Sequence, residues 1–244
     1  MSRDGTHFRT CNLCEAMCGV AIEVAGGEVR SIRGDGDDPF SQGYICPKAS
    51  ALQDLHADPD RLRHPVRRTS TGFARIGWDE AFDEVARRIG ALQAQHGKSA
   101  VGLYFGNPTI HNLGSTLYSA PFARALGTRN RFSATSVDQL PHHLAAFTMF
   151  GHQLLLPIPD LDRTDFLLIL GANPAVSNGS LRTAPGVGKR IQAIRARGGK
   201  VVVIDPRRTE TAELASEHHF IRPGADALLL LALLHTLVAE KRCR

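Results

Sequence analysis

Three cysteines stand within eight consecutive positions, Cys11, Cys14 and Cys18 of CNLCEAMCG, and a fourth, Cys46, returns from far along the chain with Pro47 and Lys48 directly behind it. Four of the five cysteines therefore lie in the first 46 residues. That crowding argues against disulfides stapling the whole chain and for metal ligation or local redox chemistry. Thiolates are soft donors, and four of them suit either tetrahedral zinc or a [4Fe-4S] cube. Zinc sites usually pair their cysteines as two short clips, whereas here one loop supplies three ligands and a single one comes back from afar. The 3+1 layout favours the cube, with zinc and plain buried thiols as the alternatives. Cys11, Cys14, Cys18 and Cys46 are the candidate metal ligands. Cys243 reads as a free thiol at a frayed end.

Three further stretches have the makings of an anion site. LLILGANP ends an apolar strand at Gly171, Asn173 and Pro174, VVVIDPRRTET ends another at Asp205, Pro206 and Arg207, and IRPGAD places Arg222, Gly224 and Asp226 at the mouth of a Leu-rich helix. A ligand with negative charge needs glycine for close backbone approach and helix N-termini for their positive ends. A glycine after one strand is more often a simple turn. The three stretches in this order carry more weight than any one.

The elements that must hold these residues follow from period and punctuation. VAIEVAGGEVRSIR alternates apolar and polar on both sides of Gly26-Gly27, which predicts a hairpin between the cysteine cluster and Cys46. Asp58 to Gly72 is polar and reads as a linker. Phe82, Val85, Ile89 and Leu92 recur at three- and four-residue steps, predicting an amphipathic helix from Asp79 that stops at Gly97. SAVGLYF predicts a strand ending at Gly106, Ser115 to Leu126 a helix, DFLLIL a buried strand, Gly188 to Arg197 a helix and KVVVID another strand. This alternation predicts βαβ units on a parallel sheet. The run ALLLLALLHTLVA, from Ala227 to Ala239, is well short of the ~20 residues a bilayer needs and predicts a buried helix.

With 244 residues and 43% hydrophobic content, a sizeable core is possible in one or two domains. The formal charge of +5 derives mainly from arginine, suited to phosphate or carboxylate, though a solvated face is the plainer explanation. No basic tract is interleaved with aromatics, so nucleic acid is not indicated. The opening residues show neither a secretory leader nor a twin-arginine signal, and the expected location is cytoplasmic.

CNLCEAMCG followed by GDGDDPFSQGYICPKA resembles the N-terminal iron–sulfur segment of the molybdopterin oxidoreductases related to formate dehydrogenase, periplasmic nitrate reductase and dimethyl sulfoxide reductase. GANP, DPRRTET and RPGAD occur in that family in the same order. The resemblance implies an α/β fold: a small N-terminal β-rich [4Fe-4S] domain (1–58), a first α/β segment (59–130), and Rossmann-like βαβ layers with a mostly parallel sheet in a pterin dinucleotide-binding segment (131–244). It implies a [4Fe-4S] cluster and molybdopterin guanine dinucleotide with molybdenum or tungsten. Asp205 would meet guanine-type donors, Arg207 and nearby amides phosphate, and Gly224 and Asp226 the dinucleotide at a helix start. Lys48 matches a basic residue lying between cluster and pterin, where a cation would stabilise passing electron density.

The family presents one protein ligand to its metal, and the corresponding stretch here is NRFSATSVDQLPHH, residues 130–143. It has no cysteine, a departure from the formate dehydrogenase and periplasmic nitrate reductase patterns. Ser136 is the first choice of oxygen ligand, with Ser133, Thr135 and Asp138 as alternatives. His142 could shuttle protons, beside His143, although surface or core imidazoles are commoner. Asn107 and His111 would line the same pocket. The expected function is two-electron redox or oxo transfer at a bis-pterin metal centre, with a small-molecule substrate, an electron donor or acceptor protein, and a chain supplying a missing C-terminal cofactor domain as partners. The competing expectation is a non-catalytic iron–sulfur or cofactor-binding subunit that needs a partner chain.

Overall fold

Three strands, β1 (Gly5–Thr10), β2 (Gly19–Ala25) and β3 (Glu28–Gly34), form the first sheet in that order. Gly26 and Gly27 join β2 to β3 at φ 62° and 78°, the doubly positive pair that a tight hairpin turn requires and that side chains resist. Asp4 holds the turn by accepting both glycine amides, at 3.0 and 3.4 Å. The predicted hairpin is therefore present. The computed structural model describes residues 4–180 and 184–243, and they divide into two units.

The first unit comprises Met1–Cys14, Val20–Arg33 and Pro47–Leu156. After Cys46 come α1 (Pro47–Ser50) and α2 (Leu52–Ala57), the latter tied to β3 by the Gln53 amide on the Val29 and Arg30 carbonyls. The stretch expected as a linker instead contains β4 (Val66–Thr69), paired antiparallel with β5 (Gly72–Arg75). Both strands are short and mostly exposed, so no apolar alternation marks them. Helix α3 (Trp78–His96) ends where Gly97 turns to φ 83°. The expected SAVGLYF strand is shorter, since Lys98–Ala100 coils into a 3-10 turn and only β6 (Leu103–Phe105) is extended. Helices α4 (Pro108–His111) and α5 (Leu113–Leu126) then carry the chain to β7 (Arg131–Ser133), parallel to β6. The Asn112 side chain caps α5 by accepting from the Ser115 amide at 2.9 Å. Helices α6 (Thr135–Asp138) and α7 (Leu140–Phe150) follow.

The second unit comprises Glu15–Gly19, Gly34–Cys46 and Pro157–Arg244. Its sheet has β8 (Phe166–Leu170), β9 (Lys200–Ile204) and β10 (Glu217–His219) in the order β10-β9-β8, every pair parallel. Helices α8 (Pro174–Ser177) and α9 (Val187–Ala196) connect β8 to β9, and α10 (Glu210–Leu214) connects β9 to β10. Val201, Val203, Ile191 and Ile194 are fully buried and form the centre of its core. This is the βαβαβ arrangement of a Rossmann-like half, and the expected α/β class with mostly parallel pairing holds.

The final helix, α11 (Asp226–Ala239), forms where the Leu-rich run predicts it, but none of its residues is buried. The expectation of a buried helix is thus corrected: the apolar side chains extend around the helix, and the described residues do not cover them. No helix among the described residues is long and apolar enough to cross a membrane.

Candidate functional site

The cysteines fit soft metal ligation by their chemistry. Cys11, Cys18 and Cys46 are only 7–8% exposed, Cys14 is half-buried, and none of them is in a disulfide. Cys11 and Cys14 belong to the first unit, Cys18 and Cys46 to the second. Among the described residues no three His, Cys, Asp or Glu side chains form a group that could hold a metal ion.

In the second unit the segments around Cys18 and Cys46 are closely braced. The Ser41 hydroxyl and amide both donate to Asp38, at 2.6 and 2.7 Å, and the Gly19 amide, next to Cys18, donates to the Ser41 hydroxyl at 3.0 Å. These donors, the Ser41 hydroxyl first, hold the Asp38 carboxyl below its ordinary pKa. Gly34 lies so close to Gly43 that an added Cβ would stand 1.9 Å from the Gly43 carbonyl oxygen, so only glycine fits there.

These braced segments are also anchored to the sheet side of the same unit. Glu15, which follows Cys14, accepts from the Ser180 hydroxyl at 2.9 Å, and Tyr44, two residues before Cys46, donates to Asn178 Oδ1 at 2.9 Å. Arg190 of α9 adds a bond to the Phe40 carbonyl at 2.7 Å and an ion pair with Asp162 at 3.1 Å. None of these partners was singled out from the sequence. Separations of 134 and 165 residues leave no local signal of the Tyr44 and Glu15 contacts.

The GANP and DPRR loops follow β8 and β9 at the carboxyl edge of the parallel sheet, where open α/β sheets take their ligands. The Gly171 amide donates to the Ile204 carbonyl at 2.9 Å, joining the two loop origins. Asn173 is committed to the protein itself: its Nδ2 donates to Glu210 at 2.8 Å, and its Oδ1 accepts from the Thr211 hydroxyl at 2.7 Å. Pro174 is buried at the start of α8. Asp205 is 8% exposed and accepts from the Arg207 amide at 2.8 Å. The exposed Arg207 guanidinium lies 3.4 Å from Glu210. The Glu210 carboxyl is held below its ordinary pKa first by its own backbone amide, then by Asn173, with Arg207 contributing. Arg222, Gly224 and Asp226 stand where the chain enters α11, and the Ala225 amide bonds to the Arg222 carbonyl at 3.0 Å.

In the first unit, Lys48 is exposed on α1. Ser136 is exposed on α6, its hydroxyl donating to the Ser133 carbonyl at 3.3 Å, and His142 is exposed on α7. Asn107 and His111 line a cavity of about 600 Å³ together with Leu13, Ile22, Leu55 and Arg61. Ser136 and His142 are not among its lining residues. Asn107 Nδ2 instead donates to the Leu13 carbonyl, between Cys11 and Cys14, at 2.8 Å.

The profile of the molybdopterin oxidoreductase Fe4S4 domain matches residues 9–57, and that of molybdopterin oxidoreductase matches residues 61–242. The chain belongs to the molybdopterin oxidoreductase family. The first match covers all four cysteines, which sets zinc aside in favour of the iron–sulfur assignment. A sulfite dehydrogenase of Allochromatium vinosum is 30% identical over 92% of this chain and 23% of its own length. A nitrate reductase of Shewanella frigidimarina is 31% identical over 96% of this chain and 25% of its own. Formate dehydrogenase H of Escherichia coli is 29% identical over 94% and 32%. The chain thus spans about a quarter to a third of the length of these relatives. Acetylene hydratase from Pelobacter acetylenicus shares the fold, with a TM-score of 0.73 and 24% identity over 96% of this chain and 32% of that one.

Proposed function

We propose that this molybdopterin oxidoreductase chain forms the cluster-bearing and dinucleotide-holding part of a molybdenum or tungsten enzyme that performs two-electron redox or oxo transfer on a small-molecule substrate. The observation that carries this reading is the joining, within one unit, of the segments around Cys18 and Cys46 to a Rossmann-like half whose carboxyl edge presents GANP and DPRR. When bound, the pterin metal supplies the two-electron step and the cluster relays electrons singly.

The division 1–58, 59–130 and 131–244 is part of this proposal. Cys11, Cys14, Cys18 and Cys46 hold the cluster, and Lys48 places a cation beside it. Asp205, buried with one oxygen held by the Arg207 amide, offers its other oxygen to guanine-type donors. Arg207, Arg222 and the amide at Gly224 receive phosphate, Gly171, whose own amide is taken by the Ile204 carbonyl, lets the ligand approach the backbone, and Pro206 and Asp226 border the dinucleotide. Asn173 and Pro174 act by shaping their loop, since the Asn173 amide is already occupied by Glu210 and Thr211. Ser136 is the proposed oxygen ligand, ahead of Ser133, Thr135 and Asp138, and His142 the proton carrier. The enzyme works in the cytoplasm with an electron donor or acceptor protein.

A second reading is favoured by α11, an apolar helix none of whose residues is buried. In it the chain is a non-catalytic iron–sulfur or cofactor-binding subunit, and a partner chain supplies the remaining cofactor cradle and covers that helix. Metal and nucleotide analysis of anaerobically prepared protein, with turnover of an acceptor dye, separates the two. Molybdenum or tungsten, guanine nucleotide and turnover support the first; iron without pterin metal supports the second; zinc without iron overturns both.

A further inference from the structure

Asn178 stands out in the second unit because it adopts φ 56°, a left-handed conformation uncommon for any residue with a side chain, although asparagine tolerates it best. It closes α8 immediately after the GANP loop. Its amide Nδ2 donates to the Val176 carbonyl at 3.0 Å, which leaves Oδ1 turned to accept the Tyr44 hydroxyl at 2.9 Å. Tyr44 is half-buried and separated from Cys46 only by Ile45. The same side of the unit carries a second tie, from Ser180 to Glu15, one residue past Cys14. Two polar bonds therefore run from the segment just after GANP to residues flanking two different cysteines.

From this geometry we infer that Tyr44 and Asn178 are positioning residues that lock the Cys46 segment to the GANP loop, so that the pterin-side loop controls the order and electronic setting of the cluster ligand. This inference rests on the proposed cluster and dinucleotide sites. The physical basis is local. A tyrosine hydroxyl on a half-buried ring has one strongly directional donor, and asparagine in a left-handed cap presents its oxygen at a fixed angle because its other end is pinned to Val176. A cysteine whose neighbouring backbone is held in one arrangement keeps one set of hydrogen bonds and one degree of water access, and these set a cluster's potential. Glu15 and Ser180 keep the segments near one another when the Tyr44 bond is removed, so the fold should survive the test.

Tyr44→Phe removes the donor alone. Asn178→Gly keeps the left-handed backbone but removes the acceptor together with the amide bonded to Val176, and Asn178→Asp keeps an acceptor and the tolerance of that conformation but loses the donor that pins it to Val176. In the iron-free full chain, amide exchange is followed in peptides covering residues 41–46 and 174–180, with β8 and β9 as internal reference. The inference predicts that Tyr44→Phe speeds exchange about fivefold in both peptides, the scale of one net hydrogen bond, and Asn178→Gly, which also loses the Val176 bond, at least as much. The double variant should be no faster than Asn178→Gly alone, Asn178→Asp should fall between the parent and Asn178→Gly, and the reference strands should not change. Unchanged exchange in Tyr44→Phe overturns the inference. So does additivity in the double variant, or loss of protection throughout the sheet, which would make the pair a folding contact. In the iron-reconstituted chain, EPR titration should show a shift of midpoint potential of the same sign for Tyr44→Phe and Asn178→Gly. Parental potentials in both overturn the electronic part. Failure of the parent to take up iron counts against the cluster assignment, while the exchange result still judges the bond itself.

Discussion

The βαβ sheet of the second unit and the helices of the first make opposite use of similar residues. Ile191, Ile194, Val201 and Val203 are fully buried between α9 and the parallel strands. On α3, by contrast, Phe82, Val85 and Leu92 are 64%, 53% and 47% exposed although they repeat at regular helical steps. Helix α11, within the second unit itself, is the extreme case: apolar but for Asp226, His235 and Thr236, and with no residue buried. A helix of that kind belongs to the interior of a larger body. Periodicity thus records that a face is suited to burial, whereas burial itself depends on what the fold brings against it. In the second reading of the function, a partner chain covers α11.

That contrast can be attacked by substitution, and the largest effect should come from the core. Ile194→Ala should lower the stability of the chain by about 2–5 kcal/mol in denaturant unfolding, because a well-packed site cannot collapse around the lost atoms. A loss below about 1 kcal/mol would mean that the sheet is no better packed than α3. Next, Asn173→Ala should cost about 1–3 kcal/mol, since it removes the acceptor of the O–H and backbone N–H of the fully buried Thr211, whose hydroxyl oxygen keeps only the bond it accepts from the Ala175 amide. Arg207 should then lose part of its restraint, because the same change frees Glu210.

A smaller effect is expected of Asp38 and is visible in its pH dependence. Its folded pKa lies below its unfolded value, so its contribution is complete above about pH 4 and is lost as pH falls through the lower, folded value. Asp38→Asn should flatten the acid side of a melting-temperature profile, and a profile identical to the parent's would remove the Asp38–Ser41–Gly19 brace from the account. The smallest effect belongs to α11. Leu231→Ser on this 60% exposed residue should change the stability of the chain alone by no more than about 0.5 kcal/mol in denaturant unfolding, and a loss above about 2 kcal/mol would mean that the helix is packed like the core.

Much of the fold was legible in local signals. Gly26-Gly27 marked the hairpin, Gly97 the end of α3, and the β-branched run from Val201 to Ile204 a strand. The β4–β5 hairpin was missed because strands that are short and mostly exposed carry no alternation. Within the site, the cysteine spacing and the loops after the two strands could be read because ligand type and strand end are local properties. The contacts of Glu15, Tyr44, Asn178 and Thr211 could not, because each depends on chain segments brought together only by folding. The Asp38–Ser41 bond is a different kind of miss. An Asp three residues before a Ser in a Pro-containing turn is a local capping pattern, and that signal could have found it.

The cluster is the centre of the account, and one measurement reaches it directly. Iron and zinc analysis with EPR should be made on the anaerobically reconstituted chain and its Cys46→Ser variant. The account predicts about four irons per parent chain, a reduced-state signal characteristic of [4Fe-4S], and loss of both in the variant. Zinc in place of iron, or a variant with the parent's iron content and signal, would contradict it.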